Sequence, residues 1–110
     1  MVAQSVQHLI MNYREAAERT ANADVDVANH WVDVLLACRK ELRNSQEGRE
    51  ELTSLMSDPN PRVRGWAAAH CLAWAPEIAR ACLQALVNAD GPLAFDAKWT
   101  LKEYDAGNLR

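Results

Sequence analysis

No segment of this sequence alternates apolar and polar residues in the two-residue rhythm of a half-buried strand, and β-branched residues are thinly spread along it. That excludes a sheet protein and leaves an all-α one. Long hydrophobic runs are also lacking, none approaching the roughly 20 residues that span a bilayer. The N-terminal MVAQSVQHLIMNYREAAER has neither the basic start nor the unbroken apolar core of a signal peptide, so no membrane segment and no cleaved leader are expected. Excess basic charge is missing too: 12 Lys and Arg stand against 15 Asp and Glu, a formal charge of −3. Without a general positive field, nucleic acid is disfavoured as a partner. Cys38, Cys71 and Cys82 show no C-x-x-C spacing and lie in apolar helical patterns. Buried, reduced thiols in a cytoplasmic protein are the expectation.

Reactive chemistry is absent by similar tests. His8, His30 and His70 fall on three different helical segments with no second ligand at helical spacing, so no metal site is expected. His70 and Cys71 are adjacent and project about 100° apart on a helix, which denies them the geometry of a nucleophile and its base. Asp24 with Asp26, and Glu47 with Glu50 and Glu51, stand at helix starts, where capping and dipole compensation explain them better than paired-carboxylate catalysis. Neither an enzyme nor a cofactor is expected.

What the sequence does have is helical periodicity in a chain that is 49% hydrophobic, enough for a single domain over 1–110. Val2, Val6, Leu9, Ile10, Tyr13 and Ala17 form the stripe of a first amphipathic helix. Asp24 or Asp26 caps a second, in which Ala28, Trp31, Leu35, Cys38 and Leu42 alternate steps of three and four. Asn44 to Gly48 reads as a loop, and a third helix from Arg49 to Ser57 carries Leu52, Leu55 and Met56. At Asp58-Pro59-Asn60-Pro61 the pattern stops and restarts, because Pro59 pushes Asp58 out of the helical region while Asn60 caps and Pro61 takes the first helical position. The fourth helix, running to Trp74, is rich in alanine. A fifth, from Pro76 to Ala89, is expected to bury Ile78, Ala79, Cys82, Leu83, Leu86 and Val87. A sixth, after Asp90-Gly91-Pro92, carries Leu93, Ala97, Leu101 and Tyr104 and ends at Gly107.

Shifted by about 30 residues, Leu52 falls on Cys82, Met56 on Leu86, Val63 on Leu93, Ala67 on Ala97 and Cys71 on Leu101, a degenerate repeat of 49–75 in 76–106 with 1–45 as a capping helix pair. Asp58, Pro59, Pro61, Val63, Arg64, Ala67 and Ala68 match the D-P-x-P-x-V-R turn and following alanines of HEAT-like repeats, which this chain resembles. With the A-P-E-x-A-R-A-x-L run from Ala75 to Leu83, the layout also looks like a bacterial family of small proteins catalogued as a domain of unknown function. The resemblance implies a right-handed stack of helix hairpins, about six helices in all. Trp66 and Trp74 depart from the pattern, since such repeats commonly carry smaller or charged residues there.

In HEAT-like stacks the second helices line the concave face. That puts Arg62 and Trp66 of the fourth helix with Phe95, Asp96, Trp99 and Lys102 of the sixth as the candidate protein-binding residues. Two arrangements fit: Phe95 and Trp99 folded over the small Gly65 and Ala69, or a partly exposed aromatic ledge with the composition of a binding hot spot. The expectation is a non-catalytic module that binds another protein, most specifically an immunity-type inhibitor occluding a cognate bacterial toxin, by analogy with small acidic HEAT-like proteins. A HEAT-like nucleic-acid binder related to glycosylases is the competing class, and homodimerisation through the sixth helix a third.

Overall fold

Capping chemistry sets where most of the helices begin. Ser5 opens α1 (Val6–Arg19) by accepting from the His8 amide at 3.1 Å. Asp24 opens α2 (Val25–Leu42) by accepting from the amides of Asp26 at 2.9 Å and Val27 at 3.2 Å. Ser45 does the same for α3 (Gln46–Ser54) through the Gly48 amide at 3.0 Å, and Asn60 for α4 (Pro61–Cys71) through the Arg62 amide at 2.8 Å. Caps of this kind are worth about 1 kcal/mol each. Neither α5 (Pro76–Asn88) nor α6 (Ala94–Asp105) has a side-chain cap; α5 starts on its proline, and Leu93 precedes α6 in helical geometry.

The computed structural model describes residues 5–108, and among them are six α-helices, a 3₁₀ turn at Leu55–Ser57 and no strand. The protein is all-α. Val2, assigned to the first stripe, lies outside the described residues. Among the described residues no helix is long and apolar enough to cross a membrane.

The chain divides at Leu55 and Met56 into two compact units, so the span 49–75 contributes to both. In the first unit α1 lies along α2, and α3 packs on both. Tyr13, Ala16 and Ala17 of α1, Leu35 and Leu42 of α2, and Leu52 of α3 are fully buried there. In the second unit α5 packs against α4 and against α6, two successive helix hairpins. Val63, Ala67, Ala68 and Cys71 of α4, Ala79, Leu83 and Leu86 of α5 and Ala97 and Leu101 of α6 are buried there. At about 25 cal/mol per Å², fully burying a side chain such as Leu35 or Leu83 contributes roughly 2 kcal/mol, an upper figure against a compact unfolded chain. On the surface Arg80 of α5 binds Asp105 of α6 and lies over the Tyr104 ring, 5.5 Å from its centroid. The hydrogen bond from Arg80 holds the Asp105 carboxyl below its usual range.

Several elements differ from their sequence expectations for identifiable reasons. The loop expected at Asn44–Gly48 is shorter, because Ser45 caps and Gln46, Glu47 and Gly48 form the first turn of α3. The last turn expected of the third helix tightens into the 3₁₀ turn ahead of Asp58-Pro59. The fourth helix stops at Cys71 instead of Trp74: Pro76 pushes Ala75 out of the helical region, and the Trp74 and Ala75 amides both return to the Cys71 carbonyl, at 3.1 and 2.7 Å. Ile78, expected in the core of α5, is 59% exposed, and Leu36 of α2 is exposed as well. An apolar position on a helix is covered only where a neighbour stands opposite it, and periodicity does not say how many neighbours there are.

Candidate binding groove of the second unit

Because α5 packs on both α4 and α6, the outer sides of those two helices stand as walls over it and enclose a groove of about 350 Å³. Its floor is Leu83 and Leu86 of α5. One wall is the Arg62, Gly65, Trp66 and Ala69 face of α4; the other is Asp96, Ala97, Trp99 and Thr100 of α6, with Leu93 at its head. Helical spacing of three and four puts each set on one side of its helix. Gly65 is open toward the floor, its nearest neighbour there being Leu86 Cδ1, 3.4 Å from where a Cβ would stand.

Arg62, Trp66, Asp96 and Trp99 are thus brought together by the fold. Trp99 is 54% exposed and forms part of the wall, so it covers Gly65 and Ala69 incompletely. Phe95, one turn earlier on α6, is 75% exposed and stands outside the lining. Lys102 is also outside it, with its ammonium 5.8 Å from the centroid of Trp99. Trp66 is half-buried and tilts against His70 on its own helix, ring centroids 5.7 Å apart. Thr100 lines the groove but donates its hydroxyl hydrogen to the Asp96 carbonyl at 2.8 Å. Arg64 turns away to the corner, where its Nη1 donates to the carbonyls of Asp58 at 2.8 Å and Pro59 at 3.0 Å.

Leu83, Leu86, Leu93 and Thr100 were not among the candidates drawn from the sequence. The two floor leucines were assigned to the α5 core, correctly, since little of either reaches water. Their second role was foreshadowed by Gly65 and Ala69, because small residues facing a Trp leave space whose base has to come from the intervening helix.

The thiols offer no nucleophile to the groove. Cys38 is buried, and burial raises its pKa. Cys82 is half-buried with its Sγ 3.8 Å from the carbonyl oxygens of Met56 and Arg64; burial raises it too, against a smaller opposing effect of the Arg64 charge. Both stay protonated near neutrality, the inert form. Among the described residues no three His, Cys, Asp or Glu side chains gather closely enough to hold a metal ion.

Fold and site together define a small all-α protein built of helix hairpins, with an aromatic-walled groove in its C-terminal half. The chain belongs to the family described as "Domain of unknown function (DUF2019)", which matches residues 7–105. The crystal structure of the protein RPA1889 from Rhodopseudomonas palustris CGA009 is similar to it, with a TM-score of 0.89 and 29% sequence identity over 97% of this chain and 93% of that one. No curated protein matches the chain.

Proposed function

We propose that this protein is a non-catalytic protein-binding module whose contact surface is the α4–α6 groove together with Phe95 beside it. The observation that carries the proposal is the exposure of two large aromatics on one helix, Trp99 on the groove wall and Phe95 next to it, with Arg62, Asp96 and Lys102 at the margin. An apolar floor with tryptophan walls and a charged rim has the make-up of a binding hot spot, where a few aromatic and arginine anchors supply most of the affinity. The most specific form of the proposal is an immunity-type inhibitor that occludes a cognate toxin in the cytosol. Occlusion asks for surface and charge alone, and thiols outside any disulfide, such as Cys38 and Cys82, suit a reducing compartment. Asp96 on the wall counts against a phosphate backbone as occupant.

Capture from a lysate of its own organism, with the wild type, Trp99→Ala and Gly65→Leu side by side, is the test. Gly65→Leu fills the groove without truncating a wall. A partner that binds the wild type and is lost by about 2 kcal/mol or more in both variants, each with near wild-type urea denaturation, supports the role. Equal binding by all three would sink it. A doubled mass in light scattering, abolished by Trp99→Ala, would make the partner a second copy of this chain.

A further inference from the structure

Arg62 and Asp96 face one groove from opposite walls, yet neither side chain has an ion pair or a hydrogen bond among the described residues. Two opposite charges held apart across an apolar floor present a polarity to whatever enters: an anionic group is favoured beside Arg62 and a cationic group beside Asp96. Phe95 adds size. A ligand confined to the groove leaves that ring in water, whereas a partner long enough to lie along α6 covers it together with Trp99. An all-α unit has no sheet edge to template an extended peptide through backbone bonds, so the partner has to satisfy its own backbone, as a helix does. Gly65, Ala69 and Ala97 are small enough to let a helix approach closely over the floor.

Building on the protein-binding role above, we propose that the groove receives an amphipathic helix of the partner. Its single large apolar anchor enters between Trp66 and Trp99, an acidic side chain lies toward Arg62, and a basic one lies toward Asp96. Residues three or four apart on one helix face provide that arrangement, with the anchor between two charges of opposite sign. The groove volume of about 350 Å³ accommodates one aromatic or branched aliphatic anchor.

The test is a selection from a displayed library of helical peptides with randomised faces. It is run against the wild-type protein, the charge-exchanged Arg62→Asp/Asp96→Arg variant and Gly65→Leu, each verified by urea denaturation. Because Asp96 is exposed, Asp96→Arg alone replaces the double variant should that one not fold. Peptides selected on the wild type are expected to carry an apolar anchor flanked by one acid and one base. They are expected to bind the charge-exchanged protein at least about tenfold more weakly, while peptides selected on that protein show the converse preference. Peptides lost on Gly65→Leu but indifferent to the charge exchange would overturn the assigned polarity and leave the groove as a protein site. Peptides indifferent to both would remove the groove as a contact altogether. Failure of all helical peptides to bind the wild type, alongside a fragment-sized compound seen by NMR to fill the groove, would overturn the helix in favour of a small ligand.

Discussion

Two glycines sit inside helices of this protein, Gly48 in α3 and Gly65 in α4, and opposite circumstances put them there. At Gly48 there is no room: a Cβ would overlap the Leu42 carbonyl oxygen and stand 2.7 Å from that carbonyl carbon and 2.9 Å from the Leu42 Cα. The obstacle is backbone, the end of α2, and cannot swing aside. At Gly65 there is room, the nearest atom being the tip of Leu86 at 3.4 Å, and what a side chain would fill is the groove. Inside a helix each glycine costs up to about 1 kcal/mol relative to alanine. At Gly48 that cost is offset by the close crossing of two helices; at Gly65 nothing in the packing requires it, so the opening it leaves is the feature to explain. Hence one glycine is required by the crossing of two helices, and the other leaves a groove open.

The comparison can be broken hardest at Ala67, two residues past Gly65 on α4 but fully buried, and so on the crowded side. Ala67→Asp is expected to unfold the protein or cost about 4 kcal/mol or more, since it puts an unpaired carboxylate between packed helices. A soluble, cooperatively melting variant with little loss in urea would show that α4 has been given the wrong inner face. Next in size is Gly48→Ala, for which a loss of about 3 kcal/mol is expected despite the better helix propensity of alanine, because the added methyl strikes main chain. A gain in stability there would erase the contrast between the glycines.

Trp99→Ala comes third. Its stability cost is expected within about 1 kcal/mol, because over half of the side chain is already in water, while affinity for a captured partner falls by about 2 kcal/mol. A loss of about 3 kcal/mol or more in urea would mark Trp99 as packing over Gly65 instead of presenting a contact. Gly65→Ala should do the reverse of Gly48→Ala, raising stability by roughly 0.5 to 1 kcal/mol through helix propensity while narrowing the groove. Chemical denaturation of both alanine variants in parallel gives the sign directly.

The smallest effect concerns the thiols. Burial raises Cys38 and Cys82 above the ordinary thiol value of 9.0, so the folded protein holds protons that the unfolded chain releases once the pH passes that value. The associated stability is present below about pH 9 and is lost as the pH rises through the folded values. Urea midpoints should therefore fall less between pH 8 and pH 10 for the Cys38→Ala/Cys82→Ala double variant than for the wild type. Equal falls would mean that neither thiol titrates differently on folding.

Legibility followed the range of the interactions. The corner at Asp58 to Pro61 was readable because each contact spans a few residues: the Asp58 carboxylate accepts from the Asn60 amide at 2.9 Å, Asn60 caps α4, and Arg64 ties the carbonyls behind it. The Asp24 cap and the Gly107 stop were readable for the same reason. Gly107 has a φ of 80°, and the amides of Gly107 and Asn108 return to the carbonyls of Tyr104 and Glu103, a Schellman end that suits glycine. The second break, over Asp90-Gly91-Pro92, was readable as well, and Asp90 takes a positive φ there, 51°, a geometry that a short polar side chain tolerates. Ile78 and Gly48 were misplaced because neither signal is local. Whether an isoleucine meets water and whether a glycine marks a loop or a helix crossing both depend on what lies opposite.

By itself, then, the sequence determined which segments are helical, the caps at Asp24 and Asn60 and the proline corners, since hydrogen bonds and dihedral preferences act within one turn of the chain. It also named four of the side chains on the groove walls, Arg62, Trp66, Asp96 and Trp99, through their common side on α4 and on α6. Only the tertiary structure decided that these two sides flank a groove, that Leu83 and Leu86 form its floor, and that Phe95 stays in water while Trp99 makes a wall. Burial and cavity shape belong to a set of helices held at particular distances, and α5, packed on both α4 and α6, sets those distances through contacts far apart in the chain.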